Sequence, residues 1–156
     1  MNLSLRRRGF SLIELVIVIV IIGIIGAIAV PRMSRAATGA ADSSLTADLN
    51  VLRTAIDLYQ AEHGGTYPSF ANFVAQLTTY TSDAGATNAT KDTTHIYGPY
   101  IREIPTMKVG ALKGLNTVSN VAEDGSAWFY NETTGEIRAN YAVTVVDARG
   151  TPYVNY

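Results

Sequence analysis

The sequence predicts an α+β fold: one long amino-terminal α-helix, half apolar and half amphipathic, packed on a small antiparallel β-sheet. Three observations carry this expectation. Residues 10–30 form an apolar run with a single charge, Glu14. Beyond it Leu45, Leu49, Leu52, Ile56 and Tyr59 recur at helical spacing, while Asp48, Arg53 and Asp57 take the other sides. Near the other end, "SAWFYNETTGEIRANY" (residues 126–141) places two β-rich stretches around Glu132–Gly135, the pattern of a hairpin.

The apolar run comes first. As a helix, residues 10–30 span about 31 Å at roughly 1.5 Å per residue, the thickness of a hydrocarbon core. Arg6, Arg7 and Arg8 precede it, and Arg32 and Arg35 follow. The positive-inside rule puts the three-arginine end in the cytoplasm. Three plain readings account for this much. One is a secretory signal peptide with Ala27-Ile28-Ala29 as cleavage site. Another is a twin-arginine signal, built on Arg7-Arg8-Gly9-Phe10. The last is a simple membrane anchor. None accounts for Glu14, since a carboxylate costs about 2.5–3.5 kcal/mol at the centre of a membrane helix and less near its end.

Composition narrows the function classes. Hydrophobic residues make up 47% of the 156-residue chain and charged residues 16%, enough for one domain with a folded core. Beyond Arg35 there are seven Lys/Arg against twelve Asp/Glu, which argues against a nucleic-acid partner. The chain has no cysteine, which excludes disulfides and thiol chemistry.

"RRRGFSLIELVIVIVIIGIIGAIAVP" resembles the amino terminus of type IV pilins and type II secretion pseudopilins. In that family a short basic leader ends in Gly. A prepilin peptidase cuts after it and methylates the new amino-terminal Phe. The resemblance implies Gly9 before the cut, Phe10 as the N-methylated end, Glu14 as the assembly acid, and Pro31 closing the run. It implies three segments: a leader at 1–9, a transmembrane assembly helix at 10–30, and a pilin-like periplasmic or extracellular domain at 31–156 that includes the amphipathic half of the helix. Cleavage would leave nine Lys/Arg and thirteen Asp/Glu and create an amine on Phe10, one helical turn from Glu14. An acid in a first helical turn is favoured by the macrodipole, and a carboxylate in hydrocarbon needs a cation. The family's mechanism pairs Glu14 of an incoming subunit with the Phe10 amine of its neighbour; pairing with its own amine is the alternative. Gly23 to Ala27 is a small-xxx-small spacing that permits close helix approach. In pilin-like filaments the stretch matching Gly23–Pro31 is often unwound; a plain kink at Pro31 is the alternative.

Past Pro31 the helix is expected to continue to about His63, where Gly64-Gly65 and then Tyr67-Pro68 stop it. Pro31 and Gly39 are its destabilising positions. Ser69 is positioned to cap a short second helix with Phe70, Phe73, Val74 and Leu77 as its buried stripe. Residues 81–95 are polar and unpatterned and predict an exposed loop. "AVTVVD" (142–147) is expected to extend the sheet, with "DARGTPYVNY" folding back along it. Trp128 or Tyr130 should face the helix.

"YQAEHGGTYPS" followed by "GPYIREIP" is similar to the order in the major, G-type pseudopilin of type II secretion, and "WFYNETTGEIRAN" is similar to a strand pair of pseudopilin-like proteins. Two departures stand out. Pro105 is followed by Thr-Met-Lys rather than Asp-Pro-Trp-Gly, and the acidic calcium-binding loop of that pseudopilin has no clear counterpart. Glu123 and Asp124 form the only adjacent acidic pair and are the only calcium candidates; an acidic pair in a turn is otherwise a solvated turn. No cofactor is expected. His63 beside Gly64 reads as a helix-end cap, and His95 lies in a polar loop. Neither has a clustered acid or cysteine nearby, so no catalytic set is present and an enzyme is not expected.

The resemblance implies a structural subunit that polymerises through residues 10–30 and is anchored in a bacterial inner membrane. It would be single-pass with its amino terminus cytoplasmic, and would pass into a periplasmic or cell-surface filament. Its implied partners are copies of itself, the prepilin peptidase/methyltransferase, an inner-membrane assembly platform, and minor pilins or pseudopilins. Small size, absence of cysteine and "GPYIREIP" favour a type II secretion pseudopilin. A type IV pilin, major or minor, acting in adhesion, motility or DNA uptake is the alternative.

Overall fold

A computed structural model describes residues 9–156. Helix α1 runs from Leu12 to Glu62. The chain divides into two compact units, one ending at Ala37 and the other Thr38–Tyr156. In the first unit the helix is apolar on every side from residue 15 to residue 30. The second unit holds the core and the described strands.

In the globular unit, α1 buries the predicted stripe: Leu45, Leu49, Leu52, Ile56 and Tyr59 are each at most 2% exposed. The helix stops where two glycines take left-handed conformations, Gly64 at φ 63° and Gly65 at φ 88°. The Gly65 N–H reaches back to the Gln60 carbonyl at 2.9 Å, satisfying an acceptor of the last turn.

After a 3₁₀ turn at Phe70–Asn72 comes the short helix α2, Phe73–Thr78. Ser69 does not cap through its side chain. Instead its N–H and hydroxyl both donate to Gln76 Oε1, at 2.8 and 3.3 Å. The open N–H of Phe70 is taken by Glu132 Oε2 at 2.6 Å, from a turn distant in sequence. Phe73 and Leu77 are buried as expected, but Val74 is half exposed and the polar Gln76 is buried in its place, bonded to the Gly85 carbonyl.

Residues 81–95 are not simply an exposed loop. They contribute to a three-stranded antiparallel sheet in the order β2-β1-β3, made of β1 Tyr80–Ser82, β2 Thr87–Asn88 and β3 His95–Tyr97. Thr81 and Ser82 are buried. Such strands are two or three residues long, too short to show an alternation that sequence could reveal.

The second sheet has the order β4-β5-β6. Strand β4 is Val118–Ser119, β5 is Trp128–Asn131 and β6 is Glu136–Ala139. The expected hairpin is β5–β6, with Trp128 opposite Ala139 and Tyr130 opposite Ile137. These four side chains share the buried face. Strand β4 pairs with β5 in parallel, so this sheet is mixed rather than purely antiparallel. The two larger aromatics keep their polar tips bonded: Trp128 Nε1 donates to the Pro105 carbonyl at 2.8 Å and the Tyr130 hydroxyl to the Pro68 carbonyl at 2.7 Å.

"AVTVVD" forms no strand. Val145 N–H closes a turn on the Ala142 carbonyl, and Val146 makes only an isolated bridge to Pro152. The reason lies at Asp147, whose Oδ1 accepts from the Arg149 and Thr151 N–H groups at 2.7 and 2.8 Å and reverses the chain there. The returning segment does pack beside β6 as a 3₁₀ turn, Tyr153–Asn155.

Candidate assembly segment

Gly9 and Phe10 precede the helix, and Phe10 is 84% exposed. The rest of the leader, residues 1–8, lies outside the described residues. Ser11 occupies the N-cap position, since helix α1 starts at Leu12 and the Leu15 N–H bonds the Ser11 carbonyl at 3.2 Å. Glu14 is then the third helical residue. Its Oε2 accepts the Ser11 N–H at 2.8 Å. This is the acidic half of a capping box, in which the third-position carboxylate satisfies a backbone donor the helix itself leaves open. The signal was present in the sequence as Ser11-Leu12-Ile13-Glu14, the S-x-x-E pattern preceding an apolar run. Within a single chain Glu14 therefore has a backbone partner, in a first turn where the helix dipole also favours its charge.

Gly23 and Pro31 both lie inside α1, which is continuous through this stretch; the chain by itself is not unwound between them. A Cβ built on Gly23 or Gly26 would meet nothing within 4 Å, so a partner helix can approach closely at both positions. The segment has the length and apolar character to cross a membrane.

The globular unit contains the remaining candidates. Glu123 has a positive φ of 59°, and its N–H donates to Asn140 Oδ1 at 2.8 Å. Asp124 Oδ1 accepts from the Ser126 N–H and from Asn140 Nδ2, both at 2.9 Å. Hydrogen bonds from the Ser119 hydroxyl, then from the Ser126 backbone, hold the Asp124 carboxyl below its ordinary range. The geometry makes Glu123-Asp124 a turn closed on Asn140. Among the described residues no three His, Asp or Glu converge to hold a metal ion. Two clefts of this unit, one of about 330 Å³ beside Leu112 and Tyr141 and one of about 280 Å³ between Val51, Leu58 and Ile101, are lined by apolar and neutral polar side chains, with Glu123 the one acid in the pair. His63 does act on the helix end, through its ring on the Tyr59 carbonyl, but the ring is also buried, which its place beside two glycines did not foretell.

The family description that matches the chain is the prokaryotic N-terminal methylation motif, over residues 4–30. No curated protein and no solved structure matches. The motif supports the type IV pilin and pseudopilin family, and it points to a structural subunit that is a substrate of prepilin peptidase and assembles with other pilins. Together with the long apolar helix it fits a membrane-anchored pilin.

Proposed function

We propose that this chain is a subunit of a pilus-like filament, specifically a type II secretion pseudopilin. It is cut between Gly9 and Phe10, N-methylated on Phe10, held in the inner membrane by residues 10–30, and polymerised through that helix with Glu14 at the contact. The observation that carries the reading is the coincidence of the methylation motif, over residues 4–30, with a helix that stays apolar and exposed on all sides. Absence of cysteine and the "GPYIREIP" run favour the pseudopilin over the type IV pilin.

Intact-mass analysis of the protein from its native host tests the processing. The expected product has lost residues 1–9 and carries one methyl group on the amine; a chain beginning at Val30 would identify an ordinary signal peptide and overturn the reading. Deleting the gene tests the machine. Secreted enzymes should accumulate in the periplasm while surface pili persist; loss of pili with normal secretion would assign the subunit to a type IV pilus instead.

A further inference from the structure

The cleft of about 330 Å³ in the globular unit is walled by Leu112, Tyr141, Ala142 and Val145, with Asn140 and Glu123 also in its lining. Glu123 is its one charged residue, and its carboxylate has no bonded partner among the described residues. Glu123 is also the one non-glycine of the described chain at positive φ, 59°. L side chains seldom adopt that conformation, so the surroundings must hold it. Asn140, 2% exposed, does so. Its Oδ1 accepts the Glu123 N–H at 2.8 Å, and its Nδ2 donates to the Val121 carbonyl at 3.1 Å and to Asp124 Oδ1 at 2.9 Å. A loop held this way places a carboxylate beside an apolar cleft. The complement is a lysine, an aliphatic stem that ends in a cation.

The same unit carries such a lysine at its other end. Arg53, Lys108, Arg138 and Arg149 are engaged within the chain, by the Tyr156 carbonyl, Asp48, Glu136 and Asp147. Lys91 is exposed and has no partner among the described residues. Its loop, 89–94, joins β2 to β3 and is exposed throughout. Asp92 shapes that loop by accepting the Thr94 and His95 N–H groups at 2.7 Å and Asn88 Nδ2 at 2.9 Å. Position separates Lys91 from the two other unpaired cations. Lys113 adjoins Leu112 of the cleft itself, and Arg102 adjoins Ile101, which shares the flank of α1 with Val51 and Leu58. The β2-β1-β3 sheet lies at the carboxy-terminal end of α1, where the Ser82 carbonyl oxygen is 3.0 Å from the His63 ring. The cleft lies at the opposite end: the Tyr141 ring is 5.7 Å from that of Tyr153, whose hydroxyl donates to Asp42 Oδ1 at 2.7 Å. From Asp42 to Glu62 the helix rises about 30 Å. Lys91 is thus remote from Glu123 of its own chain. Copies stacked in one orientation bring one end of a unit to the opposite end of the next, a head-to-tail contact that propagates.

We propose that the cleft beside Glu123 receives the Lys91 side chain of a second copy, its methylene stem against the apolar wall and its ammonium on the carboxylate. The contact rests on the filament reading above and adds to it a second interface, between globular units.

Carbodiimide coupling joins a carboxylate to an amine in contact with it. Applied to filaments sheared from the native host, it should give a Lys91–Glu123 link, identified by mass spectrometry of the joined peptides. In the same host lacking the wild-type gene, Lys91→Glu and Glu123→Lys should each lower filament yield, and the double exchange should restore it. An exposed ion pair changes the equilibrium of one contact by up to roughly fivefold, and the loss recurs at every subunit added. The thermal midpoint of full-length Lys91→Glu in detergent should match the wild type, which separates a lost contact from a lost fold. Filaments that form without the link, wild-type yield from both single variants, or failure of the double exchange to restore yield overturns the contact and leaves the filament reading standing. No filaments from the wild-type chain overturns the filament reading, and the contact with it.

Discussion

Glu14 has two possible duties, and one pair of substitutions separates them. In the single chain its Oε2 accepts the Ser11 N–H at 2.8 Å and so caps the helix. In the proposed filament its charge meets the Phe10 amine of a neighbour. Glu14→Leu removes both. Loss of a cap costs about 0.5–2 kcal/mol of helix stability, and loss of the dipole interaction about 0.3–1 kcal/mol. Against these stands the insertion cost of a carboxylate, up to about 2.5–3.5 kcal/mol at a helix centre and smaller at this end position. The terms are comparable, so Glu14→Leu should enter the membrane as well as the wild type or better. Glu14→Gln keeps a carbonyl oxygen where Oε2 now sits, and so keeps the cap, but carries no charge.

If the ion pair drives assembly, both variants insert and both fail to polymerise alone, and co-expression with wild type yields reduced filaments. Membrane fractionation measures insertion; electron microscopy and sedimentation of sheared filaments measure assembly. Wild-type filament yield from Glu14→Leu alone refutes the assembly contact. Full yield from Glu14→Gln with none from Glu14→Leu refutes the charge and leaves the capping bond as the requirement.

Two further expectations concern the globular unit. Leu52 is fully buried in the α1 stripe, so Leu52→Ala should destabilise it by about 2–5 kcal/mol, a large share of the total for a domain of about 5–15 kcal/mol; urea titration followed by Trp128 fluorescence reads this, and an unchanged midpoint would show that α1 is not the core's main wall. The Tyr156 hydroxyl, then the Thr151 and Arg149 N–H groups, hold the Asp147 carboxyl down at about 2. A lowered carboxyl stabilises the fold above its unfolded value of about 3.9 and loses that contribution as pH falls toward the folded value. Acid titration of thermal stability should therefore show a limb between those values that Asp147→Asn lacks, and an identical acid limb in the variant would remove Asp147 as its source.

What was legible in the sequence had a period or a punctuation. The stripe from Leu45 to Tyr59 repeats over several turns, Gly64-Gly65 marks the stop, and the β5–β6 hairpin has a turn between two β-rich runs. What was missed depends on partners remote in sequence. The β2-β1-β3 sheet is built from Tyr-Thr-Ser, Thr-Asn and His-Ile-Tyr, strands of two or three residues held by backbone pairing that leaves no pattern. Helical spacing places Val74 in the buried stripe, but α2 has only six residues, and the side that faces in carries Gln76, bonded to the Gly85 carbonyl. The apolar letters of "AVTVVD" read as strand, and the side chain of Asp147 overrides them. At the amino terminus the pattern Ser11-x-x-Glu14 is legible in the sequence, and the bond it makes follows once Leu12 is fixed as the first helical residue.

The apolar helix also poses a problem that the globular unit does not. From Leu12 to Val30 the large side chains keep between 39 and 80% of their surface exposed, and no part of the described chain covers them. A contiguous surface of that kind needs a cover. Lipid supplies one without any preference between this helix and another of the same length. Gly23 and Gly26, open to 4 Å, allow a closer approach by a second helix, but packing between apolar helices in lipid has little driving force beyond contact. The carboxylate breaks that indifference. Lipid penalises it, whereas a neighbour presenting an amine at matching depth removes the penalty on both charges at once. In the proposed filament the residue that makes the segment a poorer anchor would make a second subunit a better cover than lipid, and it would fix the axial offset between the two helices, since only one offset brings Glu14 to a neighbour's Phe10.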